Sequence, residues 1–148
     1  MLKQTDSQVI NRIIDANINR AKEGLRVAEE VTRFILNDQA LTRKLKDARH
    51  KIDAIFKRIK KDDLLSARDS AQDVGREISK GELKRNNYSE IFFANIQRAK
   101  ESVRVLEEFS KIINAQKALN FKRIRYSIYE IERAGALKLN DAFRNRKK

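Results

Sequence analysis

Apolar positions in the first third of the chain recur every three or four residues. Ile10, Ile14, Ile18, Ala21, Leu25, Ala28, Thr32 and Ile35 mark one face of a helix from about Gln8 to Asn37. Asp6 and Ser7 are its predicted caps, and Asn37 with Asp38 its predicted end. Leu45, Ala48, Ile52, Ile55, Phe56 and Ile59 carry the same period through a second helix, from about Leu41 to Lys60. GELKRNNYSE then interrupts the pattern with Gly81, Asn86 and Asn87, and Ser89 is a predicted cap for the helix that follows. That third long helix runs to about Asn114, and a fourth covers at least Leu119 to Ala134.

Two of these helices are copies. ANINRAKEGLRVAEEVTRFI (16–35) and ANIQRAKESVRVLEEFSKII (94–113) are identical at twelve of twenty positions, at a constant offset of 78, which is too close for chance periodicity. Their partners correspond more weakly. ARHKIDAI (48–55) aligns with IRYSIYEI (124–131) at an offset of 76, so Arg49 and His50 match Arg125 and Tyr126. The expected fold is all-α: a duplicated helical hairpin whose halves pack together, because one hairpin buries only one face of each helix. The expected domain organisation is one unit over 1–148. The first repeat covers about 8–60, a unique segment 61–87, the second repeat about 88–136, and a solvated basic tail 137–148. Within the unique segment, LLSARDSAQDVGREISKG (64–81) reads as a loop followed by a short helix.

Composition agrees with long helices. The chain has 148 residues, enough for a real core, with no Pro and four Gly to break a helix. The absence of Cys excludes disulfides, thiolate metal sites and cysteine nucleophiles. One His, His50, leaves no basis for a His-rich metal site or a Ser-His-Asp triad. No apolar run reaches the roughly 18 residues of a membrane span, and the start is polar, unlike a signal peptide. The expected location is therefore cytoplasmic. The net charge of +13 fits three readings: nucleic-acid or anionic-membrane binding, steering of a phosphorylated ligand, or a lysine-rich surface of the kind thermophiles carry.

The duplicated polar residues fall into two groups on a helical wheel. Lys22, Arg26 and Arg33 oppose the apolar face centred on Ala21, Leu25, Ala28 and Thr32. Asn17 falls among Ala21, Gly24, Ala28 and Ile35, and Arg20 falls near Ile13 and Val31. Glu23 flanks the same face, and Asn95, Arg98 and Glu101 repeat the arrangement. A buried amide or guanidinium must be paired. Two explanations are open: internal pairs such as Arg20 with Glu23 and Arg98 with Glu101, or a ligand cavity near the axis relating the halves. Gly24 leaves room for either a close helix crossing or a ligand. In the unique segment, Arg68, Asp69 and Asp73 cluster; if helical, the two carboxylates share a face and suit Mg²⁺. Capping by Asp69 with Arg68 as a surface charge is the plainer explanation, and no phosphate-binding loop motif is present.

Four blocks in order, RIIDANINRAKEGLRVAEEVTRFI, LKDARHKI, SARDSAQDVG and FFANIQRAKESVRVLEEFSKI, resemble one family over about Arg12 to Glu132. It is the alternative hydroxymethylpyrimidine-phosphate kinase family of thiamine biosynthesis, similar to the module N-terminal to certain thiamine-phosphate synthases. The chain looks like the standalone form. The resemblance implies phosphorylation of 4-amino-5-hydroxymethyl-2-methylpyrimidine phosphate to its pyrophosphate, with ATP as donor and Mg²⁺ as cofactor. It implies phosphate binding by Arg20, Arg98, Arg49 and Arg68, and pyrimidine recognition by Asn17 and Asn95, with Glu23 and Glu101 beside them. Asp69 and Asp73 would hold Mg²⁺ or accept the hydroxymethyl proton, and His50 would bind phosphate or act in acid–base chemistry. A lone His beside Arg is also a common structural residue.

Two other functions compete. A basic nucleic-acid-binding module fits the net charge, but no single helix concentrates the Lys and Arg, acidic residues are interleaved with them and aromatics are few. A non-catalytic partner that regulates or scaffolds a thiamine-phosphate synthase is the second alternative. A two-fold repeat is also compatible with a homodimer.

Overall fold

A computed structural model of the chain describes residues 4–57, 61–77 and 80–147. The helices are α1 (Gln4–Glu30), continued by a π-helical turn (Val31–Ile35), α2 (Gln39–Ile55), the short α3 (Lys61–Ala67), α4 (Tyr88–Ile113) and α5 (Ala115–Asn145). A 3₁₀ turn, Lys80–Leu83, lies between α3 and α4. The fold is all-α, with no strand among the described residues. No helix is long and apolar enough to cross a membrane among those residues.

α1 packs on α4, α4 on α5, α5 on α2 and α2 on α1, closing a four-helix ring with α3 outside against α1. The core draws on both repeats: Ile14, Leu25, Leu45 and Ile52 from the first, Ile96, Leu106, Phe121 and Ile128 from the second. Each such side chain contributes about 1.5–3 kcal/mol on burial. α1 crosses α4 closely at Gly24. A Cβ built on Gly24 would stand 2.7 Å from the Asn95 carbonyl oxygen, so only Gly fits there. Gly135 serves likewise in α5, where the Phe92 ring occupies the space a side chain would need.

The two-residue difference between the halves lies in their turns. The first hairpin uses Leu36, Asn37 and Asp38 between the π turn and α2; the second uses Asn114 alone between α4 and α5. Asn37 adopts the left-handed conformation (φ 51°), which Asn tolerates, and Asp38 caps α2 by accepting from the Leu41 N–H at 2.9 Å. Thr32 Oγ1 and Thr42 Oγ1 lie 2.9 Å apart and tie the hairpin together. The equivalent of Thr32 is Ser110, but Thr42 is replaced by Ala118, and Ser110 Oγ is buried without a partner.

Several sequence expectations are corrected. Asp6 and Ser7 lie inside α1, because nothing from Gln4 onward breaks the helix. Asn87, not Ser89, caps α4, accepting from the Glu90 N–H at 2.9 Å while Glu90 accepts from the Asn86 N–H at 2.7 Å. α2 ends at Ile55, short of Lys60, and 58–60 lie outside the described residues. α5 starts at Ala115, where Asn114 accepts from the Gln116 and Lys117 N–H groups. It continues to Asn145 because Leu139 reaches the core, so most of the expected basic tail is helix. In the unique segment the order is reversed: the short helix comes first and turns follow.

Two measurements test this packing. Gly24→Val should cost about 2 kcal/mol or more, since the α1–α4 crossing must open, and thermal melting should show it. Gly81→Ala, with open space around it, should change stability by less than about 0.5 kcal/mol.

Candidate active site

The duplicated polar residues divide differently in three dimensions. The deeply buried pair is Glu29 and Glu107, at 3% and 5% exposure. Arg49 Nε donates to Glu29 at 2.7 Å, and Arg125 Nε donates to Glu107 at 2.8 Å. Arg26 and Arg104 add a second contact to the same carboxylates, at 3.6 and 3.2 Å. The hydrogen bond to Glu107 holds Arg125 above the usual guanidinium pKa. Each copy therefore carries the same buried carboxylate braced by two arginines, and Arg49 belongs to that brace. Buried pairs of this kind are costly to break, because the surviving charge is left without a partner.

Asn17 and Asn95 do not reach the cleft described below. Each donates its Nδ2 to the carbonyl four residues back, Ile13 and Ile91, both at 2.8 Å. That bond satisfies an amide on an apolar face without a ligand. Arg20, Arg98, Glu23 and Glu101 are exposed, not intruding on the core, since long side chains at the edge of the apolar face extend to water. No ion pair forms between Arg20 and Glu23 or between Arg98 and Glu101 among the described residues; Glu101 instead accepts from Gln97 at 2.9 Å. His50 is exposed on α2, outside the cleft.

One cleft gathers the remaining residues. It has a volume of about 340 Å³ and lies between the first half of α1 and the turns after α3. Its anchor is Asp15, a buried carboxylate at 6% exposure. Arg68 Nε and Nη2 grip it in a fork at 2.8 and 2.9 Å, and Asn19 Nδ2 approaches it at 3.4 Å. The Asp15 bond raises the Arg68 pKa, with the Asp15 charge adding to it. Arg12 Nη2 donates to the Asp69 carbonyl at 2.9 Å, so two arginine contacts hold the unrepeated segment on α1.

Asp69 and Asp73 line this cleft with Arg12, Arg20, Glu23 and Arg68. They do not share a helix face, because the segment is turned rather than helical there. Asp69 Oδ1 accepts from the Gln72 N–H at 3.3 Å and Asp73 Oδ1 from the Gly75 N–H at 2.9 Å. Each keeps a second carboxylate oxygen. Among the described residues no group of three or more His, Cys, Asp or Glu is placed to hold a metal. Two carboxylates still suit Mg²⁺, which is commonly held by one or two of them together with substrate phosphates.

The structure thus brings together Arg20, Glu23, Arg68, Asp69 and Asp73, and leaves Asn17, Arg49, His50, Asn95, Arg98 and Glu101 elsewhere. Sequence reasoning missed Asp15 and Arg12. Both sit just before or at the edge of the strongest repeat, where the copies differ: Asp15 matches Phe93 and Arg12 matches Glu90. The second repeat therefore lacks both the anchor and the segment it anchors.

Comparison with known proteins agrees with the four-block resemblance. Residues 12–134 match the ThiD2 family. A thiamine-phosphate synthase of Rhodopirellula baltica is 37% identical over 139 residues, covering 93% of this chain and 37% of its own length. Those of Synechocystis and of a Nostoc species are 36% and 38% identical over 132 and 126 residues. These alignments cover 88% and 84% of this chain, and 37% and 35% of the relatives. The chain spans little more than a third of the length of these curated relatives. No solved structure matches it. With a family match across nearly all of both repeats and the segment between them, the chain belongs to the ThiD2 family.

Proposed function

We propose that this chain transfers the γ-phosphoryl group of ATP to 4-amino-5-hydroxymethyl-2-methylpyrimidine phosphate, giving the pyrophosphate in thiamine biosynthesis. The observation that carries this reading is the cleft at Asp15, where three guanidinium groups and the Asp69 and Asp73 carboxylates line one space. Family membership supports it, and the relatives' names supply the link to thiamine, although those names denote a synthase and hence a different step.

In this reaction an oxygen of the acceptor phosphate attacks the γ-phosphorus. The bond to the β–γ bridging oxygen breaks, and ADP leaves with that electron pair. The acceptor is ionised at neutral pH, so no base is needed, and the proton-accepting role expected of Asp69 and Asp73 falls away. What such a transfer demands is positioning and charge neutralisation. Arg12 and Arg20 would bind phosphate oxygens. Arg68 spends Nε and Nη2 on Asp15, which fixes its plane and leaves Nη1 for phosphate. Asp69 and Asp73 would hold Mg²⁺ through the oxygens not used by the Gln72 and Gly75 N–H groups. Mg²⁺ there would neutralise the triphosphate.

A second reading has its own observation. The chain matches little more than a third of proteins named thiamine-phosphate synthase, which fits a non-catalytic module that binds or regulates such an enzyme.

Purified protein with ATP, Mg²⁺ and the pyrimidine phosphate should release ADP and form the pyrophosphate. Folded protein that binds a thiamine-phosphate synthase but shows no turnover would replace this reading with the second. Arg20→Ala and Asp69→Ala should lower kcat/KM about a hundredfold or more, as loss of a transition-state charge contact does, with melting temperatures nearly unchanged. Asp15→Asn should lower turnover too, by releasing Arg68. By contrast, Glu29→Ala and Glu107→Ala should each cost about 2–3 kcal/mol of stability by stranding a half-buried arginine, read as similar falls in melting temperature.

A further inference from the structure

A second groove, of about 470 Å³, opens where the turn after α1, the start of α4 and the end of α5 meet. Its floor is apolar, built from Ile35, Leu36, Ile91 and Leu139. Tyr88 and Phe143 stand beside that floor at 50% and 54% exposure. Among the described residues Arg85 and Arg146 are its charged lining groups and no carboxylate is among them, although the Glu90 carboxylate accepts from Asn86, which lines it. The contrast with the Asp15 cleft, lined by four carboxylates, is complete.

The repeat does not generate this groove. α2 ends at Ile55, whose counterpart is Ile131, whereas α5 runs on to Asn145. Leu139 and Phe143 lie on that extension, and Arg146 caps it. Burying Leu139 is enough to hold the extension to the core. It does not account for an aromatic ring left half in water beside an apolar floor. The volume and the lining, mostly apolar with a few polar groups, are those of a small-ligand site.

We propose that this groove binds a nucleotide. The base lies on the apolar floor against Tyr88 and Phe143, and the phosphates meet Arg85 and Arg146. Aromatic faces suit a planar heterocycle, and two guanidinium groups lining one groove suit a phosphate dianion. Among the described residues Arg85 donates through Nη1, to the Gly81 and Lys84 carbonyls, so its other donors can turn to a ligand. From Ala16 to Ile35 the helical rise separates the groove from the Asp15 cleft by roughly 28 Å. A ligand here is therefore an effector and not the phosphoryl donor to the cleft of the same chain. The site stands whether or not the chain is a kinase.

Titration of ¹⁵N-labelled protein with ADP tests this by location. Saturable amide shifts are expected over 85–91 and 139–146. Phe143→Ala and the double variant Arg85→Ala/Arg146→Ala should each weaken them about tenfold, the size expected for losing a stacked ring or a charged phosphate contact. Arg68→Ala should leave these shifts in place, and circular dichroism would verify that each variant is folded. Shifts confined to the Asp15 cleft, or none at millimolar ADP, would overturn the proposal. Equal response to adenosine would remove the phosphate from it, and equal response to inorganic pyrophosphate would remove the base; either result overturns the nucleotide assignment.

Discussion

The approach of α1 to α4 at Gly24 sets the geometry of everything around it. With the Asn95 carbonyl 2.7 Å from where a Cβ would stand, the two copied helices meet almost backbone to backbone. Close contact there lets Ala21, Leu25, Ala28, Ile96, Ala99 and Val103 fill the centre with small and medium side chains. It also fixes which faces remain outside. The flank of α1 carrying Arg12, Asp15, Ala16 and Asn19 is left for the unrepeated segment to cover. The copies did not need to be identical at the crossing: one Gly suffices, and Ser102 occupies the matching place in α4.

Around that crossing the charges do two separate jobs. Glu29 with Arg49, and Glu107 with Arg125, lock each hairpin internally and occur once per copy. Asp15 with Arg68 occurs once in the chain and joins segments 53 residues apart. A buried carboxylate is tolerated only when its partners satisfy it, so the single Asp15 commits the chain to docking the Arg68 turn. Stability and site construction thus rest on the same chemistry, and the number of copies distinguishes them.

The helices were legible because their signal is periodic and the chain lacks Pro. The gap of two residues between repeats was legible as well, and it lies in the turns, where Leu36–Asp38 faces Asn114 alone. Less legible were the boundaries and the pairing. Asn87 and Ser89 are both competent caps, and local sequence cannot rank them until Glu90 is seen closing on Asn86. The wheel put Arg20 on the apolar border, but a long side chain escapes to solvent from there, whereas the shorter Glu29 stays buried because Arg49 comes to it from α2. Arg68 and Asp69 were singled out as part of a charged cluster, yet their partners Asp15 and Arg12 lie 53 and 57 residues away, beyond the reach of any local pattern. Repetition drew attention to the polar residues shared by the two copies; of these, Glu29 and Glu107 brace the bundle, Asn17 and Asn95 close on their own helices, and Arg20 and Glu23 line a cleft in the first copy.

That last point changes how a duplicated chain is best read for function. Duplication copies whatever the half-molecule needs in order to fold, so residues kept in both halves are enriched in folding roles. A two-fold frame offers two equivalent faces, but a transfer between unlike substrates needs unlike surroundings. The asymmetry must come from what the repeat lacks. Here it comes from Asp15 facing Phe93, from Arg12 facing Glu90, from the turned segment around Arg68, and from the extension of α5 past Ile131. Each gives one half a group that the other lacks at the matching place: a carboxylate against an aromatic ring, a cation against an acid, or a segment with no counterpart. The Asp15 cleft and the Phe143 groove are both built at such departures: Asp15, Arg12 and the Arg68 turn line the first, and the extension of α5 lines the second.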